Sequence, residues 1–324
     1  MSFNPKRIPP YRAIYDTLQY TARMFDSRQA RLVAAFATVY LVWGSTYLAI
    51  RVGVQDLPAV LFAGVRFDIA GPLMLAYAFA RKAALPTAWS DWRTIAFTSL
   101  LMLCGANGMV TWSEQWVESN QAALIVATSA LWMAGLGTLG GNGESLHRLT
   151  LIGLLLGFAG VAVLVGSGLQ MRAAPFSAYF ALLLSPVLWA AGSIYSRRYP
   201  VSCSSLMTAA LQMCIAGVVM TALGLALGEA PRWHWSGQSF WVLMYLAVFG
   251  SCLAYGAYYW LVHEVTPSQL GTYAYVNPAV AVLLGWWLLD EHLNATQIVG
   301  TAVILIGVLI VTWASSRPVI HKAA

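Results

Sequence analysis

The chain has 324 residues, 59% hydrophobic and only 9% charged, where a soluble domain carries ~25% charged residues. Its 18 Lys/Arg and 12 Asp/Glu leave a formal net charge of +6. So few charges cannot cover that much apolar surface in water, which excludes a soluble enzyme or a nucleic-acid-binding protein. The positive surplus reads instead as loops held on the cytoplasmic side of a membrane.

A helix needs about 20 mostly apolar residues to cross ~30 Å of hydrocarbon. Residues 1–31 come first and read as a cytoplasmic tail. After Pro9-Pro10, the residues Tyr11, Ile14, Tyr15, Leu18, Ala22 and Phe25 fall at helical spacing. An interfacial amphipathic helix is one reading of this stretch. A disordered tail, or a true start at Met24, is the other. Ten apolar runs follow, near 32–50, 60–80, 94–113, 121–141, 151–169, 177–196, 205–227, 239–262, 270–289 and 297–316, before a short tail at 317–324. The predicted fold class is therefore an all-α integral membrane protein of ten transmembrane helices. Only the second run has charges well inside it, Arg66 and Asp68, while Glu114 and Glu264 fall at span ends and read as solvated. Trp89, Trp92, Trp116, Trp233, Trp235 and Trp313 sit near span ends, as interface anchors do.

With the N-terminus inside, the inner segments carry 14 Lys/Arg, against Arg51, Arg172 and Arg232 outside. The positive-inside rule then places both termini in the cytoplasm. The two halves also match at an offset of about 146 residues. Val42-Trp43 answers Leu188-Trp189, Arg51 answers Arg197, Ile69-Ala70-Gly71 answers Ile215-Ala216-Gly217, and Gly153 and Gly160 answer Gly300 and Gly307. A five-span unit (32–169) must re-enter the membrane from the opposite side in its second copy (177–316). The expected architecture is an inverted repeat with a substrate site near the midplane, as in secondary transporters.

The segments VWGSTYLAIR (42–51), AGVRF (63–67), YVNPAVAVLLG (275–285) and EHLNATQIVG (291–300) resemble the EamA-type members of the drug/metabolite transporter superfamily. The resemblance covers about residues 32–316. It implies ten helices in two inverted repeats and a transporter of small metabolites at the bacterial inner membrane, often an exporter of amino acids or related compounds. This chain departs from the pattern at Ala130, which stands where the second repeat has Pro278, and at Glu144-Ser145-Leu146 after span 4.

Polar side chains within spans face a cavity or a neighbouring helix. Span 1 offers Trp43, Ser45 and Tyr47, and span 3 offers Asn107 and Thr111. Span 4 offers Gln121, Thr128 and Trp132, and span 6 offers Ser185, Trp189 and Ser193. Span 8 offers Tyr255 and Tyr259, and span 9 offers Tyr273 and Asn277. Spans 5 and 10 are aliphatic and read as peripheral. Spans 1, 3, 4, 6, 8 and 9 are thus expected to enclose a path for a small amphipathic solute, whose ammonium an aromatic wall can face by cation–π contact.

Arg66, mid-span, would cost ~2.5–3.5 kcal/mol unless paired or hydrated. It reads either as a substrate or gate contact or as a fixed interhelical bond, and Gln212 stands at its repeat position. Asp68 is the proton-coupling candidate, because Pro72 leaves its main-chain carbonyl without a helical partner. Asn277-Pro278 likewise frees the carbonyl of Ala274, so Pro278 is the expected helix break of span 9.

No G-x-x-x-x-G-K-S/T run or G-x-S-x-G elbow exists, and Pro267 spoils the zinc motif that His263-Glu264 begins. Cys104, Cys203, Cys214 and Cys252 have no framework spacing. No metal, cofactor, nucleic acid or catalytic residue is expected. The expected partners are the bilayer and a small-molecule substrate, in a monomer or weak homodimer, with Gly153-x-x-x-Gly157 as either an internal packing seam or a dimer seam. The alternative class is a non-transporting polytopic protein, either an intramembrane enzyme or an assembly partner.

Overall fold

The computed structural model describes residues 10–139, 147–166, 174–280 and 295–315. Arg172, Glu144, Glu291 and the 317–324 tail lie outside the described residues, as does the side chain of Gln121. The described chain is helical throughout its ordered elements.

α1 runs unbroken over Pro10–Asp56, so the tail and the first span are one helix rather than two pieces. Between its ends it holds no proline and only Gly44 and Gly53, so nothing in the sequence breaks it. α2 is Ala59–Ala80 and α3 is Trp89–Ser113. Span 4 is split into α4 (Ser119–Val126) and α5 (Ser129–Gly137). α6 (Arg148–Gly166) closes the first half. The second half holds α7 (Phe176–Arg198), α8 (Ser205–Ala226), α9 (Gly237–Glu264), the short α10 (Pro267–Gly271), a further helix α11 over 273–280, and α12 (Ala295–Ser315). Among the described residues six helices are long and apolar enough to cross a membrane: the 29-residue stretch Arg28–Asp56 of α1, with α2, α3, α7, α8 and α9.

The 146-residue offset recurs in local structure. α2 and α8 are each 22 residues long and begin at Ala59 and Ser205. α3 and α9 each contain an eight-residue wide π-helical segment, Leu100–Asn107 and Leu246–Leu253. α2 ends on Lys82 and α8 on Gly228, both in the left-handed region, with φ 57° and 70°. Each turn is closed by a six-residue bond, Ala83 N–H to Ala78 O and Glu229 N–H to Gly224 O, both 3.0 Å. A side chain in this conformation costs ~1–2 kcal/mol, and glycine returns part of that as chain entropy. Lys82→Gly is therefore expected to stabilise the exposed turn by about 0.5–1 kcal/mol, read as a raised unfolding midpoint in detergent.

Spans 4 and 9 are each interrupted. In span 4 the Thr128 hydroxyl donates to the Ile125 carbonyl at 2.7 Å, and in span 9 the Thr272 hydroxyl donates to the Gln269 carbonyl at 2.6 Å. This corrects the expectation for Pro278, which lies inside the helical stretch 273–280. The interruption falls six residues earlier, where a threonine hydroxyl takes up a carbonyl at the turn.

α2 packs along its length against α8, and α6 against α12. Small residues allow these approaches. A Cβ on Gly71 would meet the Cys214 main-chain nitrogen at 2.7 Å, and one on Gly153 would meet the Gly307 carbonyl at 2.9 Å. The Gly153 and Gly157 seam is thus used inside the monomer, against α12 and the Tyr275 ring. Acids from one half tie down helix starts in the other. Glu229 accepts from Leu61 N–H at the start of α2 (2.7 Å), and Asp91 accepts from the Ser202 hydroxyl just before α8.

Candidate functional site

A cavity opens between the halves, with about 70 Å³ of space for water-molecule centres. One water needs ~10–15 Å³ on that measure, so the cavity has room for a small solute. α1, α2, α3, α4, α7, α9 and α11 all contribute to its wall. Its floor is an aromatic cluster. Trp43 and Trp189, counterparts at the 146-residue offset, meet edge-to-face at 5.4 Å between ring centroids. Tyr258 and Tyr273 lie 5.0 and 5.2 Å from the Trp43 ring. The Trp43 indole donates to the Gly250 carbonyl (3.0 Å) and the Trp189 indole to the Tyr258 hydroxyl (2.8 Å), so both buried N–H groups are satisfied. From this floor the lining climbs α1 to Ile50 and α3 to Val110. The cavity therefore lies on the Asp56 and Ser113 side of the cluster.

Arg66 enters from α2 and is only 4% exposed. Its Nε donates to the Ser251 hydroxyl at 2.8 Å. Ser251 and Gly250 belong to the π segment of α9, and the missing side chain of Gly250 leaves room for Nη2, which a Cβ there would meet at 3.1 Å. Among the described residues no carboxylate pairs with Arg66. The Asn107 amide oxygen and both amide atoms of Asn277 are buried without a hydrogen-bond partner, and both residues line the cavity. A guanidinium with donors to spare, the unpaired amide oxygen of Asn107 and the unpaired amide of Asn277 form a polar patch inside an apolar wall. That is the arrangement expected of a pocket that orients a polar head group and buries an apolar tail.

Of the sequence-predicted path residues, Trp43, Tyr47, Arg66, Asn107, Ser185, Trp189, Tyr255, Tyr273 and Asn277 line the cavity. Ser45, Thr111, Thr128, Trp132, Ser193 and Tyr259 do not. Ser45 bonds the Tyr245 hydroxyl (2.5 Å), and Thr111 bonds the Asn107 carbonyl (3.0 Å). Ser193 bonds the Tyr258 hydroxyl (2.7 Å), and Tyr259 bonds Ser196 (2.5 Å). Ser193 and Tyr258 brace the floor from behind. Thr46, which the sequence places in the same polar stripe as Ser45 and Tyr47, is also in the wall, while Phe67, Gly250 and Ser251 there were not singled out by the sequence. The last two carried a signal only through the wide turn of α9, which hydropathy does not register.

Asp68 lies away from the cavity. It is half-buried on the α8-facing side of α2, where Oδ2 accepts from the Thr221 hydroxyl at 2.5 Å and Oδ1 crowds Gly217. Gln212, the counterpart of Arg66, sits in a closed network. Its amide donates to Thr98 (2.6 Å) and accepts from the Tyr255 hydroxyl (2.7 Å).

The two span-end acids differ. Glu264 is partly exposed, as expected, in a surface ion pair with Arg28 of α1 at 3.0 Å. Glu114 is 0% exposed, and neither carboxyl oxygen has a hydrogen-bond partner. It sits one turn beyond Val110 on α3. Arg51, one turn beyond Tyr47 on α1, donates to the main-chain carbonyls of Glu114 and Gln115, the latter at 2.9 Å. At the other end Arg197, the counterpart of Arg51, donates to the main-chain carbonyls of Val262 (2.9 Å) and Val265. Each arginine thus clasps the C-terminal end of α3 or α9.

The profile of the EamA-like transporter family matches residues 31–166 and 176–313. The chain is 38% identical over 282 residues to the "uncharacterized inner membrane transporter YedA" of Escherichia coli K12, spanning 87% of this chain and 90% of that protein. It is 22% identical to the "uncharacterized transporter YoaV" of Bacillus subtilis, over 89% of this chain and 98% of that one. It is 25% identical to a "probable amino-acid metabolite efflux pump" of Escherichia coli K12, over 84% and 91% of the two chains. A solved crystal structure shares the fold with a TM-score of 0.74 at 22% identity, over 88% of this chain and 99% of the other. With two matched stretches that together cover nearly the whole chain, this protein belongs to the EamA-like transporter family.

Proposed function

We propose that the protein is a secondary transporter, working as an exporter, of small amphipathic metabolites that carry a carboxylate, with amino acids and their analogues foremost. It sits in the bacterial inner membrane with both termini in the cytoplasm, as ten spans in two inverted repeats. The observation that carries the substrate reading is Arg66, a buried guanidinium that no described carboxylate pairs, in one cavity wall with the unpaired amide oxygen of Asn107 and the unpaired amide of Asn277. A substrate carboxylate would supply the missing partner, and a bidentate one matches guanidinium geometry. The aromatic floor suits the apolar part of the solute and its ammonium. One relative's name, an amino-acid metabolite efflux pump, points to the same substrate class.

In this reading transport is alternating access around the cavity. The conformer described is closed below the cavity by the Trp43–Trp189 cluster. The paired clasps of Arg51 and Arg197 then serve as latches of the outer and inner ends. Each binds main-chain carbonyls left free at a helix C-terminus, so each can be broken and remade without leaving a charge unpaired. Four-fifths of the Lys/Arg outside the spans lie on the inner side, which supports the orientation. The test is binding: L-amino acids titrated individually onto the purified protein should raise its thermal midpoint. A panel with no stabilising member, in protein shown to be folded, would contradict the amino-acid reading.

A further inference from the structure

Glu114 is the one described acid whose carboxyl is both fully buried and without any hydrogen-bond partner. Glu229 and Asp91 are also buried, and each has partners across the fold. Asp68 has Thr221. An unpaired ionised carboxylate in such a place is prohibitive, so the group holds a proton or binds a cation. Its position is also specific. Glu114 and Arg51 stand just past one end of the cavity, its mouth in the transport reading, each one helical turn beyond a lining residue, Val110 and Tyr47. Arg51 is spent on main-chain carbonyls and does not neutralise the carboxyl in this conformer.

We infer that Glu114, and not Asp68, is the proton-binding site that couples transport to a pH gradient. This deepens the transport reading and rests on it. With the mouth closed, the carboxyl is neutral and buried. When the cavity opens to the cytoplasm, the carboxyl releases its proton there; when the mouth then opens outward, the Arg51 guanidinium, freed from the main chain, balances the carboxylate until it takes a proton from the outer water. Closing requires that proton. One proton bond is broken on the inner side and one is formed on the outer side per cycle, so one proton crosses the membrane, with no other reactant.

Burial pushes the Glu114 carboxyl well above the usual carboxylate range, with Arg51 opposing that rise. The other titratable groups gathered at this end are Tyr47 from α1, Tyr179 from α7 and Glu118 from the turn before α4. Because the folded state holds the proton more tightly than the unfolded chain, the stability this group contributes is present in acid and lost as pH rises. Glu114→Gln mimics the protonated form, so it should lose less stability than the wild type between about pH 5 and pH 8.

The experiment uses proteoliposomes and a radiolabelled L-amino acid that the wild type exchanges. Counterflow without a gradient reads transport; accumulation under a gradient of about one pH unit reads coupling. At one proton per cycle that gradient changes accumulation about tenfold. Glu114→Gln should keep counterflow and lose the response to the gradient, while Asp68→Asn should keep both. A gradient response surviving in Glu114→Gln, one lost in Asp68→Asn, a wild type indifferent to pH, or a wild type driven only by sodium would overturn the assignment. Absent counterflow in the wild type would overturn the transport reading instead. If Glu114→Gln is not recovered folded, Glu114→Asp replaces it. That variant keeps a carboxyl and should shift the pH at which coupling is half-maximal; an unshifted profile would overturn the assignment.

Discussion

Arg66→Gln is expected to weaken amino-acid binding by about ten- to 150-fold, the loss of a charged hydrogen bond worth ~1.5–3 kcal/mol. The side chain reaches the cavity at 4% exposure, held by one bond to Ser251. Glutamine keeps the stem as far as the position of Nε, where its amide can still meet Ser251, and it fills less space than the guanidinium beside Gly250, so the fold should survive. It removes the charge and the planar fork that a carboxylate needs. Arg66→Lys should fall between, because it restores the charge but not the bidentate geometry or the Nε bond. The measurement is the midpoint of thermal-shift titrations with one amino acid for the three proteins. Equal affinity for all three would return Arg66 to the role of a fixed interhelical bond. Substrates whose carboxyl is amidated should lose affinity for the wild type and be little affected by Arg66→Gln.

The second large effect is on stability. Gly64→Ala places a methyl group within 2.5 Å of the Thr221 hydroxyl oxygen and 2.8 Å of its Cα. The obstacle is main chain, so α2 and α8 must separate. Overpacking of this kind costs about 1–3 kcal/mol. The shift would also pull the Thr221 hydroxyl from Asp68, which it now meets at 2.5 Å. The counterpart of Gly64 is Ala210, which is fully buried, so the interface is not symmetric here. A thermal midpoint lowered by several degrees is expected. An unchanged midpoint would mean that the two helices are not held at this distance.

Much of this architecture can be read from composition and periodicity. Where the structure describes them, the apolar runs fall on helices, and the 146-residue offset found in weak matches such as Trp43 and Trp189 recurs in the π segments and in the left-handed turns at Lys82 and Gly228. Arg66 was conspicuous because a charge in hydrocarbon is expensive. Three things were not visible. The π segments leave no mark on hydropathy, since they change which residues face inward without changing what they are. Pro278 drew attention as a helix breaker, but the turn is made at Thr272, whose hydroxyl replaces a helical bond. Glu114 stands at the end of an apolar run, where a lone sequence suggests water. Its burial depends on α1, whose Arg51 closes over the helix end from more than sixty residues away. Asp68 erred in the opposite sense: it is inside a span, yet its partner is a helix of the other half rather than the cavity.

The central claim is that a small metabolite passes through the cavity between the two halves. Counterflow tests it most directly. Proteoliposomes holding the purified protein are loaded with an unlabelled amino acid that stabilises it, then diluted into a trace of the same amino acid carrying a label. The account predicts a transient overshoot of label inside the vesicles, strongly reduced by Arg66→Gln. No overshoot from folded wild-type protein, for any amino acid that it binds, would contradict it.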